Sequence, residues 1–287
     1  MTRTTDAPAD PTPLALTEND LNFPGVLTPQ MVVKGVDIPR KAVVCFFAEV
    51  IESIAGQGRA RVLSVLRSEH GEHPVYEIER GGERLAVFHP GVGAPLAALF
   101  LEEAIALGCS EFVAVGGAGA LTDALGMGHV MVVDSAVRDE GTSFHYLAPG
   151  RVVDADPDGV AVLQSVLTEA GIDHVTGRSW TTDALYRETR SRVTRRVDEG
   201  CLTVDMEASA FCAVAKYRGV RFAQLLYAGD SLAADWEHRG WTKAGTVREQ
   251  LFWLAADACV RLTPPDATTH SPARTASETP QAHRNTP

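Results

Sequence analysis

The segment Val204-Asp205-Met206-Glu207-Ala208-Ser209-Ala210 carries the strongest structural signal in the sequence. An apolar-rich helical pattern follows it, and residues 220–227 then form an apolar run typical of a buried strand. This order predicts that Glu207 begins a helix and that Asp230 stands at the end of the next strand. Because ligand sites in α/β sheets form beyond the ends of strands, the two carboxylates are predicted to share one site.

Short apolar runs alternate with helical patterns along the rest of the chain. The pattern predicts strands at residues 42–47, 84–88, 111–115, 129–133 and 174–179. It predicts helices at residues 48–55 and 156–170, and a third helix that follows the glycine turn at 91–93 and ends at residue 107. Such alternation is typical of an α/β fold. We therefore expect a single domain with a central mixed, mostly parallel sheet flanked by helices.

The composition excludes several classes of protein. The 287 residues are 45% hydrophobic and 22% charged, which is ordinary for a globular enzyme. The formal net charge of −11, from 26 basic and 37 acidic residues, argues against binding to nucleic acid. No run of 18 apolar residues occurs, so we expect no contact with a membrane.

The chain ends differ in composition from its middle. Residues 1–28 are rich in Pro, Thr, Asp and Ala and are predicted to be a mobile arm, while residues 264–287 are predicted to be a disordered tail. The catalytic domain is expected at residues 29–263. The start of the chain lacks the apolar stretch of a signal peptide, and the five cysteines show no metal-ligand spacing. We expect a cytoplasmic protein with reduced, buried cysteines and no metal.

Four further motifs precede the 204–210 segment in chain order. They are Gly91-Val92-Gly93-Ala94-Pro95, VGGAGAL at 115–121, VRDEGTSFHY at 137–146 and TTDALYRET at 181–189. In this order the motifs resemble the nucleoside phosphorylase and nucleosidase superfamily, which includes uridine phosphorylase, hexameric purine nucleoside phosphorylase and methylthioadenosine nucleosidase. The first motif lacks the third glycine of a dinucleotide fingerprint, because Leu96 stands there, and no cofactor is predicted.

The resemblance assigns roles to individual residues. It implies that Glu207 accepts hydrogen bonds from the ribose 2′ and 3′ hydroxyls and that Asp230 protonates the leaving base. To act as an acid, Asp230 must hold a proton near neutral pH, which burial would favour. Its alternative role is to cap a helix beginning at Ser231. Further substrate-binding residues are predicted at Met206, Gly117, Ala118, Phe144, Leu185, Tyr186 and Arg187.

The chain departs from the phosphorolytic members of the superfamily at the residues that bind phosphate. Residues 42–49 lack the Gly-Asp and the arginine of the first phosphate-binding element. In the second element, Ala114 occupies the position of an arginine and Gly117 that of a hydroxyl residue. Glu77 occupies the position of the third element, an arginine that a neighbouring subunit provides. A phosphate dianion needs donors and positive charge in order to leave water. Hydrolysis is therefore predicted, with Glu77 as a candidate water-activating base. The alternative is that Arg40, Arg80 or Arg187 binds phosphate.

The expected reaction is cleavage of the N-glycosidic bond of a nucleoside, with water or phosphate as the acceptor. The presence of Asp230, together with the lack of the uracil-binding Gln and Arg pair near Tyr186, favours a purine or purine-like base. A phosphorylase of purine or uridine type and a non-catalytic nucleoside-binding module are the alternatives. The resemblance also implies a homo-oligomer, a dimer or a hexamer, with residues 144–148 and 42–47 as candidate contact surfaces.

Overall fold

A mixed sheet forms the centre of the protein. The computed structural model describes residues 14–18, 20–123, 125–126, 128–233 and 245–265. The strands in these ranges are β1 (Lys41–Cys45), β2 (Arg61–Ser68), β3 (Gly71–Arg80), β4 (Glu83–Phe88), β5 (Glu111–Ala120), β6 (Val130–Asp139), β7 (Val152–Asp154), β8 (His174–Thr182), β9 (Cys201–Asp205) and β10 (Arg221–Ser231). The helices are α1 (Pro29–Val32), α2 (Ala48–Gly56), α3 (Ala94–Leu107), α4 (Pro157–Glu169), α5 (Arg190–Asp198), α6 (Ala208–Arg218) and α7 (Gly245–Arg261).

The strand order is β10-β6-β8-β9-β5-β1-β4-β3-β2, and β7 pairs with β6. Parallel pairing joins β1 to β4 and β5, β10 to β5, and β8 to β6 and β9. Antiparallel pairing joins β10 to β6, β5 to β9, β6 to β7, and the β2–β3–β4 edge. Because β10 pairs with both β5 and β6, the strands β5, β9, β8, β6 and β10 close into a ring.

Helices cover the sheet on both sides. Side chains alternate along a strand, so that Val44 of β1 packs into one apolar cluster and its neighbour Val43 into another. The first cluster contains residues of α3 and α6, such as Phe100 and Phe211, and the second contains residues of α2, α4 and α7, such as Phe252. Burial on both faces explains why the strands read as continuous apolar runs in the sequence.

The structure confirms the predicted α/β architecture, and each predicted strand and helix lies within a few residues of an observed one. Asp156 caps α4 as expected, since its side chain accepts from the backbone N–H of Asp158. Two strands of the β2–β3 hairpin were not predicted, because their charged, half-exposed side chains lack an apolar run. The idea that residues 42–47 form a contact surface is wrong, because Ala42 through Cys45 are fully buried in β1.

The cysteines are unpaired and buried, as predicted. The expected disordered tail falls almost entirely on residues 266–287, and half of the expected mobile arm falls on residues 1–13 and 19; these residues lie outside the described ones. Over the parts of the chain that the structure covers, no helix is both long and apolar enough to cross a bilayer. The same residues contain no group of three His, Cys, Asp or Glu side chains arranged to hold a metal ion.

Candidate functional site

A pocket of about 300 Å³ lies where β5, β9 and β10 end. Six of the predicted site residues line it together, namely Gly117, Ala118, Leu185, Met206, Glu207 and Asp230. A larger cavity of about 1300 Å³ separates the chain segment before α1 from α3, but none of the predicted site residues lines it. The smaller pocket is therefore the candidate site, since it brings the chemically active side chains together.

Glu207 reaches the pocket because Asp205 ends β9 and organises the start of α6. The Oδ1 atom of Asp205 accepts hydrogen bonds from the backbone N–H groups of Glu207 and Ala208, both at 2.9 Å. The other carboxylate oxygen accepts from the hydroxyl of Ser179. These bonds satisfy N–H groups that a helix leaves unpaired at its first turn. Asp205 thus fixes the backbone from which the Glu207 side chain projects.

The carboxyl group of Glu207 is buried, with 7% of the residue exposed. Burial is the main cause that raises the pKa of Glu207 to about 8, and the neighbouring Asp205 carboxylate is the second. The backbone N–H of Gly93 opposes this rise by donating to Oε1 of Glu207 at 2.6 Å. Glu207 therefore holds a proton at neutral pH in the empty pocket. Hydroxyl donors of a bound ligand would favour its ionised form.

Glycines allow close packing around both carboxyl-bearing segments. Gly91 and Gly93 have φ values of +78° and +90°, a region that disfavours side chains. A Cβ atom on Gly91 would lie 2.3 Å from Cδ2 of Leu96. A Cβ atom on Gly119 would lie 2.9 Å from Cγ1 of Val204 and 3.4 Å from Oδ1 of Asp230. The glycines at 116–119 lie within β5 rather than in a loop, where Gly119 packs closely against Val204 and Asp230. Their approach to a substrate stays a prediction.

Asp230 lies inside β10, one residue before the strand ends at Ser231. The pairing of β10 with β5 shifts between Ala228 and Asp230, so that Gly229 is an extra, bulged residue. The alternative role of Asp230 as the cap of a following helix is not seen, because residues 230 and 231 continue the strand. Asp230 thus stands at a strand end in the pocket wall, as the sequence predicts.

A further acidic residue lies close to Asp230. Glu188 follows the 3-10 turn Leu185–Arg187, and its buried Oε1 atom has no hydrogen-bond partner. Burial, and next the charge of Asp230, raise the pKa of Glu188 to about 7. The end of the pocket near Asp230 and Leu185 is therefore rich in carboxyl groups.

Several predicted site residues do not line the pocket. The ring of Phe144 lies under the guanidinium group of Arg138, at 4.2 Å from Cζ to the ring centroid. Tyr186 is 96% exposed and Arg187 is also on the surface, because the turn that carries them directs only Leu185 into the pocket wall. None of these three side chains lines the pocket of a single chain, and their roles in substrate binding stay predictions.

Glu77 also lies outside the pocket of its own chain. Its carboxylate forms ion pairs with Arg61 at 2.8 Å and with Arg84 at 2.6 Å on the β2–β3–β4 edge. The Arg61 and Arg84 guanidinium groups hold the pKa of Glu77 below its usual range. A carboxylate stabilised in this way is a weak base, so the candidate role in activating water loses its physical support.

The arginines considered for phosphate are engaged elsewhere. Arg80 holds Asp257 through two hydrogen bonds of 2.6 and 2.7 Å, and Arg40 pairs with Glu111 at 3.2 Å. None of the three candidates, with Arg187 the third, lines the pocket. The alternative that one of them binds phosphate is therefore not supported within one chain.

The other predicted motifs support the site from behind. Glu140 accepts from the hydroxyl of Ser209 at 2.8 Å and from the backbone N–H of Ser143 at 2.9 Å. The hydroxyl of Thr181 accepts from the backbone N–H of Ser209 at 3.0 Å. The bonds to Ser209 connect two separate sequence motifs to the first turn of α6. The motif at 137–146 therefore holds the helix that presents Glu207, although it does not itself reach the pocket.

The sequence did not indicate four further lining residues, Phe46, Val92, Gln224 and Arg248. Gln224 gave one signal, as a polar residue inside the apolar run of β10. Arg248 gave none, because it lies on the last helix, and only the fold brings it to the pocket. Its guanidinium group pairs with Glu49 at 2.9 Å and covers the ring of Phe47 at 4.4 Å.

Comparison with known sequences agrees with these findings. The sequence model of the phosphorylase superfamily matches residues 40–256. The guanosine phosphorylase of Halorubrum lacusprofundi is 28% identical over 178 residues, which are 60% of this chain and 74% of that protein. A purine nucleoside phosphorylase of the DeoD type from Bacillus cereus is 26% identical over 183 residues, which are 63% of this chain and 77% of that protein.

Solved structures show the same architecture. Uridine phosphorylase from Vibrio fischeri superposes with a TM-score of 0.69 at 22% identity, covering 79% of this chain and 94% of that one. Purine nucleoside phosphorylase from Toxoplasma gondii, in complex with immucillin-H, superposes with a TM-score of 0.68 at 23% identity, covering 78% of this chain and 91% of that one. The fold that the sequence motifs predicted is confirmed by these two neighbours.

Proposed function

The chain belongs to the phosphorylase superfamily and is an enzyme that cleaves N-glycosyl bonds, and we propose that it hydrolyses a nucleoside with a purine or purine-like base. One observation carries this proposal. Glu207 and Asp230 line the same pocket, and the one cation among its described lining residues, Arg248, is already paired with Glu49. The pocket therefore suits a neutral nucleoside better than a phosphate dianion.

The sugar is assigned to the part of the pocket beside Glu207. A carboxylate can accept hydrogen bonds from two neighbouring hydroxyls at once, and a buried carboxylate binds them strongly. Met206 lines the wall next to it and offers an adaptable apolar surface to the ribose. The positive charge that grows on the sugar in the transition state would strengthen its attraction to an ionised Glu207.

The base is assigned to the end of the pocket beside Asp230 and Leu185. As the bond between C1′ and N9 breaks, its electron pair moves to the base, and a proton from Asp230 at N7 neutralises the leaving group. The oxygen of water forms the new bond to C1′, and the proton that this water loses returns through the solvent to Asp230. The products are ribose and the free base, and the enzyme is restored.

The charges in the pocket support water as the acceptor. Asp205, Glu207 and Asp230 contribute three carboxyl groups to the lining, whereas Arg248 alone contributes a cation. Moving a dianion from water into such surroundings costs free energy unless donors and positive charge compensate for it. Neither Ala114 nor Gly117 supplies a side-chain donor, so phosphate finds little to replace its hydration.

Phosphorolysis is the second candidate, and two observations favour it. The relatives described above are named phosphorylases, and Arg248 does reach the pocket. If Arg248 exchanged Glu49 for phosphate, the acceptor would be phosphate and the product ribose 1-phosphate. This candidate predicts a dependence of the rate on phosphate that the hydrolytic proposal excludes.

A nucleoside panel with and without phosphate separates the two candidates. Adenosine, guanosine, inosine and uridine are incubated with the purified protein, and free ribose and ribose 1-phosphate are measured. We expect ribose as the product and a rate that is independent of phosphate up to millimolar concentrations. A hyperbolic rise of the rate with phosphate, together with ribose 1-phosphate as the product, would contradict hydrolysis.

Two variants of Arg248 sharpen this test. Arg248→Met removes the cation, and Arg248→Lys keeps it as a matched control. Under hydrolysis, neither variant shows any dependence of its rate on phosphate. Under phosphorolysis, Arg248→Met raises the KM for phosphate well above that of Arg248→Lys.

A further inference from the structure

Gln224 is a polar side chain inside an otherwise apolar strand. It is 2% exposed, and it lines the pocket that also contains Glu207 and Asp230. Its buried Oε1 atom has no hydrogen-bond partner. Buried polar groups are nearly always satisfied in folded proteins, so an unpaired amide oxygen in a pocket wall is suited to accept a hydrogen bond from a bound molecule. The amide position carries a polar atom whichever way the group is turned.

Gln224 and Asp230 mark opposite ends of the pocket along β10. Gln224 pairs with Ala114 in the middle of β5, while Asp230 pairs with Gly119 near its end. Their partners on β5 are five positions apart, which corresponds to roughly 17 Å of extended strand. If the base lies at Asp230, the sugar occupies the middle beside Glu207, and Gln224 stands beyond the sugar.

The chemistry of the reaction requires an acceptor at that position. In a displacement at C1′, the attacking oxygen approaches from the side opposite to the leaving base. The lining includes apolar residues, among them Phe46 and, two residues from Gln224 along β10, Leu226, which pairs with Gly116. A neutral amide among apolar neighbours can hold one small polar molecule, but it offers no charge to compensate a dianion.

We propose that Gln224 binds and orients the water molecule that attacks C1′. This assignment rests on the proposed hydrolytic function, and it adds the residue that serves the acceptor. The amide oxygen accepts a hydrogen bond from the water, which fixes the water's lone pair toward the sugar. Gln224 does not take the proton, since an amide is not a base at neutral pH. It is a positioning residue whose contribution lies in the orientation of the nucleophile.

The test uses Gln224→Met, which keeps the length of the side chain and removes the hydrogen bonds. We expect kcat for the most rapidly cleaved nucleoside of the panel to fall by about tenfold or more, as for the loss of one orienting hydrogen bond. KM for that nucleoside should change by less than about twofold, because Glu207 and Asp230 are intact. Gln164→Met is the matched control, since Gln164 donates to Thr176 at 2.8 Å on α4, outside the pocket.

Competition between acceptors separates a positioning role from a structural one. Hydrolysis is run in mixtures of water and methanol, and the ratio of methyl riboside to ribose is measured. Gln224→Met should shift this ratio away from that of the wild type, because the site no longer selects and orients water. Gln164→Met should leave the ratio unchanged. A Gln224→Met enzyme with the kcat and the product ratio of the wild type would overturn the assignment.

Two further outcomes keep the inference separate from the proposed function. If Gln224→Met does not fold, as judged by circular dichroism, Gln224→Asn is tested in the same way, because it keeps the amide but withdraws it by one methylene group. If the wild type requires phosphate, hydrolysis fails. The water assignment then fails together with the proposed function, whereas a phosphate-independent wild type with an unaltered Gln224→Met variant overturns the assignment alone.

Discussion

The backbone N–H of Gly93 donates a hydrogen bond of 2.6 Å to Oε1 of Glu207, across 114 residues of sequence. This bond joins the glycine turn before α3 to the first turn of α6. It also means that one oxygen of the carboxyl group already has a donor when the pocket is empty. A nucleoside must therefore share Glu207 with the protein backbone, which fixes where the sugar hydroxyls can lie.

Replacement of Glu207 should affect ribonucleosides most. We expect Glu207→Ala to lower kcat/KM by roughly a hundredfold, or about 3 kcal/mol, since hydrogen bonds to a charged group are lost in the transition state. The measurement is steady-state kinetics with a ribonucleoside and its 2′-deoxy analogue. The kcat/KM for the deoxy substrate should fall by a smaller factor, because that substrate lacks one of the two hydroxyls. Turnover of the ribonucleoside close to that of the wild type would contradict the assignment.

The raised pKa of Glu207 predicts how stability depends on pH. Its value of about 8, against 4.5 in the unfolded chain, means that the folded protein binds more protons between these limits. The free energy of unfolding should therefore fall as pH rises through this window. Glu207→Gln should gain about 2 kcal/mol relative to the wild type between pH 6 and pH 8. Urea unfolding of the ligand-free proteins measures this difference. The prediction is refuted if the free energy of unfolding has the same pH dependence in the wild type and in Glu207→Gln.

Replacement of Asp230 should depend on the leaving group. Asp230→Asn keeps the size of the side chain and removes the proton that the base needs. We expect kcat to fall by about a hundredfold or more for purine nucleosides whose base leaves poorly, and much less for substrates with an activated base such as a nitrophenyl riboside. Kinetics with both substrates decide the matter. Equal losses for the two would show that Asp230 has a structural role instead.

The turn before α3 should tolerate no side chain at Gly91. Gly91→Ala places a Cβ atom 2.3 Å from Leu96 at a φ of +78°, so that both backbone strain and a steric clash oppose it. Gly82→Ala is a matched control with a φ of +79° and no atom within 4 Å. We expect Gly91→Ala to lower the free energy of unfolding by about 1–3 kcal/mol more than Gly82→Ala. Similar values for both would mean that Leu96 moves aside without cost.

Assembly into a homo-oligomer remains a prediction. The segment around α1 exposes apolar side chains, among them Phe23, Val26, Leu27 and Met31, each at least 70% exposed. Several exposed apolar side chains within one short segment are typical of contacts between proteins. Light scattering at micromolar concentration should give at least the mass of a dimer. The mass of a monomer, with full activity in the same sample, would exclude the prediction.

The sequence predicted the part of the site that depends on local pattern. Glu207 and Asp230 each follow an apolar run, and a strand followed by a turn places the next polar residue at the edge of the sheet. The glycines of the motifs at 91–93 and 116–119 carried a similar local signal. Such features need only secondary structure and strand order to be placed correctly.

Other parts of the site depend on how distant segments pack. Arg248 reaches the pocket because α7 packs against β1 and β5, and no local pattern in that helix indicates it. Phe144 and Tyr186 belong to the motifs, but the direction of a side chain on a short 3-10 turn is set by its neighbours. The β2–β3 hairpin escaped prediction for a related reason, since an edge hairpin buries too little apolar surface to leave a clear alternation.

The bulge at Gly229 gives the end of β10 an unusual sensitivity to chain length. Side chains on a strand alternate between its two sides, so one extra residue decides which side Asp230 occupies. A chain shortened by one codon at this point would keep its sheet and its apolar core while turning the carboxylate away from the substrate. Loss of a single residue would thus leave a protein that folds but does not catalyse the reaction. A sequence alignment whose gap is misplaced by one residue at this point would not reveal the change.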